Sequence, residues 1–410
     1  YSNLLVASSN YSSEYNRNVD IDVTIVEQDR QVLDRTIVTL EDNDVRDFTF
    51  RLDNELQLNS KHKLEFGALG TFAEVDYQFV RDDTLTILDV NQEAKYYAAY
   101  LSDTWEPNPQ LSINAGIRST YYNISDQIYW SPRFSFQYNL TDQLKLKGGY
   151  GKHYQFVNRI VNENVTEGSR DFWLLSDDEL VKVSSAEHYV VGAAYETNGF
   201  IFDVEAYRKD LSNLAEFSLR FQRNDIDLNQ LFFSGNGYAE GVEFLLQKKR
   251  GDYTGWVTYT LARVRNTFES LNNGFEFSAL HDQRHEFKMV HSYEMDAWRF
   301  AATFVYASGK PFTEPSGQYS IELLDGRTNN YISVGAKNAS RLPAYHRLDL
   351  SAHYLYEWGD FQMDIGLSVF NAYGRRNVWY REYDFTEKPP IISEVRYLGL
   401  TPNLSVDIKF

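Results

Sequence analysis

Apolar and polar residues alternate along most of this chain. In one stretch Phe48, Phe50, Leu52, Leu56 and Leu58 are apolar, and Thr49, Arg51, Asp53, Glu55 and Gln57 lie between them. Leu111, Ile113, Ala115 and Ile117 alternate with Ser112, Asn114, Gly116 and Arg118. Leu348, Leu350, Ala352, Tyr354 and Tyr356 alternate with Arg347, Asp349, Ser351 and His353, and Phe361 to Val369 repeats the pattern. A period of two predicts strands with one apolar and one polar face. Many of the runs reach about ten residues, the length a tilted strand needs to cross a bilayer. In hydrocarbon every backbone group must be paired, so such a sheet has to close on itself.

The connections between the runs alternate between short and long. Short ones, such as Asn59–His62, Thr197–Gly199 and Glu357–Asp360, are built from the Asn, Asp, Gly and Pro of tight turns. Long ones fall near 10–42, 154–182, 212–234, 266–283, 309–344 and 372–391, with shorter ones near 81–92 and 124–127 on the same side. Short periplasmic turns opposite long external loops are the arrangement of outer-membrane barrels. Sixteen strands are predicted, from 2–9 and 44–58 through to 361–371 and 395–410. The fold class is therefore all-β, a transmembrane antiparallel β-barrel or most of one.

Composition narrows the function. The 410 residues include no Cys, which excludes disulfide scaffolds, Cys-zinc sites and thiol nucleophiles. No apolar run is long enough for a transmembrane helix. Lys and Arg number 40 against 58 Asp and Glu, a net charge of −18 that repels phosphate backbones and argues against nucleic acid as a partner. The chain opens directly in a strand pattern at Tyr1, as a processed protein or part of a longer one would.

The C-terminus supplies a second signal. Leu404, Val406, Ile408 and Phe410 share one face of the last strand. An alternating final strand ending in Phe is what outer-membrane barrels present to their insertion machinery, so these four are the candidate insertion signal. Trp105, Tyr121, Tyr129, Trp130, Trp298 and Trp358 lie near strand ends, where interfacial aromatic girdles belong.

Several segments together resemble the barrel of TonB-dependent outer-membrane receptors of the sort abundant in Bacteroidota. They are Ser131–Tyr138 followed by Leu144–Gly151, Glu187–Tyr189 with Gly192, Gly241–Phe244, Asp282–Phe287, Ser308–Phe312, Leu342–Leu350 and Phe370-Asn371. Residues 1–90 fit the pattern with little distinctive signal. The resemblance implies a nutrient receptor of the Gram-negative outer membrane. Family barrels have about 22 strands around an N-terminal plug preceded by a box that binds TonB. Neither plug nor box is visible, so the resemblance makes residues 1–410 the C-terminal portion of a barrel, with the plug and about six strands outside the chain. It implies lipid and lipopolysaccharide, the TonB complex, the insertion machinery and a surface lipoprotein or other outer-membrane subunit as partners, and no cofactor.

Candidate sites follow from the two sides of the wall. Arg51, Asp53, Glu55, Arg118, Arg133, Lys145, Lys147, Arg347 and Asp349 sit at polar positions of strands and are expected to face the lumen, as a permeation path or as ion pairs against a plug. Trp173, Phe232, Phe233, Phe312, Tyr319, Tyr331, Trp379 and Tyr380 fall in long loops, where aromatic faces suit ligand capture. His281, His285 and His291, and His346 and His353, invite a metal, but i and i+4 on a strand lie about 13 Å apart, too far for one ion. The loop carboxylates Asp42, Asp44, Asp82, Asp83, Asp177, Asp178 and Glu179 lack the Asp-x-Asp-x-Asp-Gly calcium spacing. Gly-x-Ser-x-Gly, His-Glu-x-x-His and a phosphate-binding Gly loop are absent, so catalysis is not expected. A passive 16-strand porin and a structural barrel within a larger outer-membrane complex stay open as alternatives.

Overall fold

In a computed structural model, residues 1–27, 29–81, 85–164, 168–217, 231–322, 328–385 and 390–410 are described. Among the described residues, sixteen strands form the wall. They are β1 (Ser2–Glu27), β2 (Asp29–Asn59), β3 (His62–Arg81), β4 (Leu85–Asn108), β5 (Leu111–Tyr122), β6 (Gln127–Asn139), β7 (Leu144–Gln155) and β8 (Ser184–Thr197). The second half is β9 (Phe200–Phe217), β10 (Phe232–Lys248), β11 (Tyr253–Thr267), β12 (His285–Met295), β13 (Trp298–Ala307), β14 (Tyr345–Trp358), β15 (Phe361–Phe370) and β16 (Thr401–Lys409).

Each wall strand pairs antiparallel with its neighbours in this order. Among the described residues no pairing joins β1 to β16, so each has one free edge. Tight turns close one end of the sheet. At the β8–β9 turn Asn198 and Gly199 both take positive φ, 48° and 80°, the conformation that a two-residue hairpin demands.

The pairing gives the wall two chemically distinct faces. One cross-strand row runs Asn54, Phe66, Leu101, Ile117, Pro132. Phe66, Leu101 and Ile117 in it are exposed, as are Phe48, Phe50, Leu404, Val406 and Ile408 elsewhere on that face. The neighbouring row, on the opposite face, runs Asp53, Gly67, Tyr100, Arg118, Ser131. Apolar side chains outside and charges inside invert a soluble domain, as a lipid-embedded barrel requires.

The external connections depart from expectation. The region near 10–42, read from sequence as a loop, continues as strand: β1 and β2 stay paired from Ser2↔Asn54 to Glu27↔Asp29. The reason is backbone chemistry, because a long excursion satisfies its N–H and C=O groups most simply by extending its own ladder. Other long connections fold into hairpins at 157–175, 315–334 and 378–396. The last wall strand accordingly starts at Thr401, not near 395, since Ile391–Arg396 belongs to the last of those hairpins.

The larger of the hydrophobic clusters among the described residues lies at this external end. Val75, Tyr77, Phe79, Leu88, Tyr122, Ile160, Phe172, Leu174, Leu175 and Phe217 are all buried there.

Candidate functional site

The 157–175 hairpin positions the mouth. It leaves β7 and packs on the inner face of β2, β3 and β4. Phe172 stacks on Tyr77 with ring centroids 4.2 Å apart and planes 6° from parallel. The Asn43 side chain accepts the Trp173 N–H at 2.8 Å and donates to the Trp173 carbonyl at 3.3 Å, acting as one more rung of the hairpin. Buried Glu41 accepts from Arg170 at 2.6 Å, and the Arg170 guanidinium lies 4.1 Å from the Tyr15 ring centre. Phe172 and Leu174 face the wall, so Trp173, which is partly exposed and paired with Arg159, lies on the hairpin's other face.

A polar knot joins this hairpin to the loops on the far side. The Lys337 ammonium reaches Glu216 at 2.8 Å and Glu163 at 3.1 Å, and all three side chains are nearly or fully buried. Burial opposes the lysine's charge, but the two carboxylates outweigh it and hold its pKa above the usual lysine value. Thr313 donates to Glu163, and Asn338 donates to the Ser278 carbonyl at 2.8 Å.

Below the mouth the inner wall carries two cavities. One, of about 370 Å³ near β12–β15, is lined by Val305, Tyr345, Arg347, Phe370, Trp379 and Tyr397 among others. The other, of about 310 Å³ on β4–β7, includes Tyr96, Arg118, Arg133, His153, Tyr154 and Phe156.

The residues singled out from sequence fall in different places. Arg51, Asp53, Arg118, Arg133, Lys145, Arg347 and Asp349 alternate with the exposed apolar positions and lie on the inner face. Arg51 donates to Asp53 at 2.8 Å, which also accepts from the Tyr100 hydroxyl at 2.5 Å. Arg347 pairs with Asp349 at 3.0 Å. Lys147 pairs with Asp203 at 2.7 Å and with Glu205. Trp379 lines the larger cavity and meets Tyr380 at 5.2 Å. Phe312 lies 5.7 Å beneath the Arg381 guanidinium. Tyr319 is exposed on the 315–334 hairpin opposite Tyr331, whose side chain lies outside the described ones. Phe232 is buried in the cluster at the mouth. Asp82 and Asp83 also lie outside the described residues.

The histidines scatter. His291 and His285 bond the tyrosines Tyr253 and Tyr259 at 2.5 and 2.9 Å, while His353 bonds Asp364 at 3.0 Å. Sequence reasoning missed the inner-wall pair His153 and His188, whose rings lie 4.9 Å apart on adjacent strands. His153 shares the parity of Lys145 and Lys147, which marks it as inner, but which residue of β8 lies beside it depends on register.

A sixteen-strand wall, apolar outside and charged inside with hairpins folded into its mouth, defines an outer-membrane β-barrel. A family model for the TonB dependent receptor-like β-barrel matches residues 2–372, and the chain belongs to that family. Its barrels are proteins of the Gram-negative outer membrane, which is where this chain resides. Solved structures agree in fold. The ferripyoverdine receptor of Pseudomonas aeruginosa, bound to ferripyoverdine, superposes with a TM-score of 0.60 at 12% identity over 98% of this chain and 53% of its own. The unliganded ferric citrate transporter FecA gives 0.54 at 12% identity over 99% and 59%. The siderophore receptor PirA from Acinetobacter baumannii gives 0.54 at 13% identity over 91% and 56%. The chain thus spans just over half the length of these structures, and none of them ties it to the Bacteroidota. No curated protein matches it.

Proposed function

We propose that this chain is the wall and mouth of a TonB-dependent receptor that takes up a scarce nutrient. The observation that carries the reading is the pair of free strand edges. In hydrocarbon the unpaired N–H and C=O groups of β1 and β16 need partners. The remaining length of receptors like those above leaves room for about six more strands and a plug, which would close the wall and fill it. The converging loops, with Trp173, Phe312, Tyr319, Tyr331, Trp379 and Tyr380, supply the capture surface. The inner-wall charges face the plug and the path that opens when TonB pulls on it. The C-terminal face Leu404, Val406, Ile408 and Phe410 serves insertion. We assign no catalytic step to any residue.

The test uses the whole protein. It is expected to bind the periplasmic domain of TonB and to stay electrically silent in a planar bilayer. Steady conductance without TonB binding would overturn the receptor in favour of a passive pore. Neither conductance nor TonB binding would overturn it in favour of a structural barrel.

A further inference from the structure

The inner wall holds two kinds of cation. Arg51, Lys147, Arg299 and Arg347 each have a carboxylate within 3.2 Å. Arg118 and Arg133 take part in none of the hydrogen bonds or ion pairs among the described residues. Arg133 lies two residues from Ser131, the cross-strand partner of Arg118, so the two guanidinium groups share one stretch of the inner face. Cationic or protonatable groups continue along the same face. Arg133 is opposite Gly151, Gly151 is opposite His188, and His188 is opposite Lys209. The His153 ring occupies the space that a side chain at 151 would fill, since a Cβ there would lie 2.8 Å from its Nε2. Uncompensated like charges in a half-enclosed site repel one another, and a bound anion removes that cost.

The same cavity has a flat apolar side. Tyr96 and Phe156 stack at 5.5 Å, and Phe156 meets Tyr122 at 4.6 Å and Tyr129 at 5.3 Å. Its volume of about 310 Å³ suits a ring-sized solute rather than one carboxylate group. Its place suits a captured ligand: Arg118 is four residues from the external end of β5, and Val157, where the inward hairpin begins, is in its lining.

We propose that this pocket binds a planar organic anion, with the Arg118 and Arg133 guanidinium groups on its carboxylate and the Tyr96–Phe156 surface against its ring. The inference rests on the receptor reading and names the chemical class of what that receptor captures. Two guanidinium forks match a carboxylate in geometry as well as charge.

The probe is 4-fluorobenzoate, followed by fluorine NMR on the whole protein in detergent. The expected result is saturable line broadening that the cationic isostere 4-fluorobenzamidine does not reproduce. Arg118→Gln and Arg133→Gln should each weaken it at least tenfold, Arg118→Lys should restore part of it, and Arg299→Gln should leave it unchanged. Heat-modifiable gel migration checks that each variant is folded. No broadening by the wild type, equal broadening by both Gln variants, or broadening by the cation as well overturns the proposal. So does a wild type that is silent while Arg118→Gln frees an upstream segment to protease, since the arginines then hold an acidic side chain of the protein itself. TonB binding and conductance do not depend on this pocket, so loss of probe binding with TonB binding intact sinks this inference alone.

Discussion

The mouth and the membrane wall use the same side chains in opposite ways. At the mouth Tyr77, Phe172, Leu174 and Phe217 are buried, and the Lys337 ammonium is held between Glu163 and Glu216 largely out of solvent. In the wall Phe50, Leu101, Ile117 and Leu404 point outward and exposed, and the charged residues point in. Water surrounds the first region and lipid the second, so apolar burial stabilises packing at the mouth while in the wall it stabilises insertion. The two regions should therefore respond to different mutations.

The largest effect is expected where the mouth most resembles a soluble core. Phe172→Ala removes a ring that is about 1% exposed and stacked on Tyr77. The cost is about 3–5 kcal/mol, borne by the 157–175 hairpin alone. Hydrogen exchange should rise across that hairpin while the heat-modifiable migration of the barrel is unchanged. If the whole barrel loses that migration, mouth and wall are one cooperative unit and the comparison fails.

Lys337→Met comes next. It removes the ammonium that lies between Glu163 and Glu216, a loss of about 3 kcal/mol. Protease nicking in the 309–344 loop reports it. The sign of the pH dependence is fixed. The folded lysine's pKa is raised above 10.5, so its contribution is complete below that value and is lost only as pH climbs through the folded pKa. Nicking in the wild type should stay flat from neutral pH to about 10, and a rise near neutral pH would contradict the buried triad.

The wall answers to charge on its outer face. Leu101→Arg places a guanidinium against lipid, at a cost of up to about 2–4 kcal/mol. The yield of folded barrel in the outer membrane should fall. Ser102→Arg, one residue along and facing inward, should not lower it. Equal losses from both would mean that the two faces are not chemically distinct.

This contrast also explains what the sequence disclosed. Period-two alternation made the wall legible: Phe48 to Leu58 and Leu111 to Ile117 announce their faces without any partner, and the sixteen strands follow. The mouth was less legible, because its hairpins are held in place by contacts between segments far apart in sequence. Val19, Ile21, Val23 and Ile25 do alternate with polar residues, but nothing local says that Asn43 will bond the backbone of a hairpin some 130 residues away. The site divides the same way. Parity placed Arg118 and Arg133 on the inner face. Their lack of a carboxylate depends on register, which sets them opposite Ser131 and Gly151.

The smallest effect is expected on the other face of the hairpin that Phe172 anchors. Arg159 pairs with Asp171, and its side chain is 60% exposed. An exposed ion pair is worth about 0–1 kcal/mol, so Arg159→Ala should leave hydrogen exchange of the hairpin almost unchanged. That quiet background makes it informative. Arg159 lies opposite Trp173 in register, so the substitution alters the chemistry of the face turned away from the wall without loosening the hairpin that presents it. A change in ligand capture by the whole receptor, with exchange rates held, would assign that face to capture. Unchanged capture would confine the hairpin to a packing role.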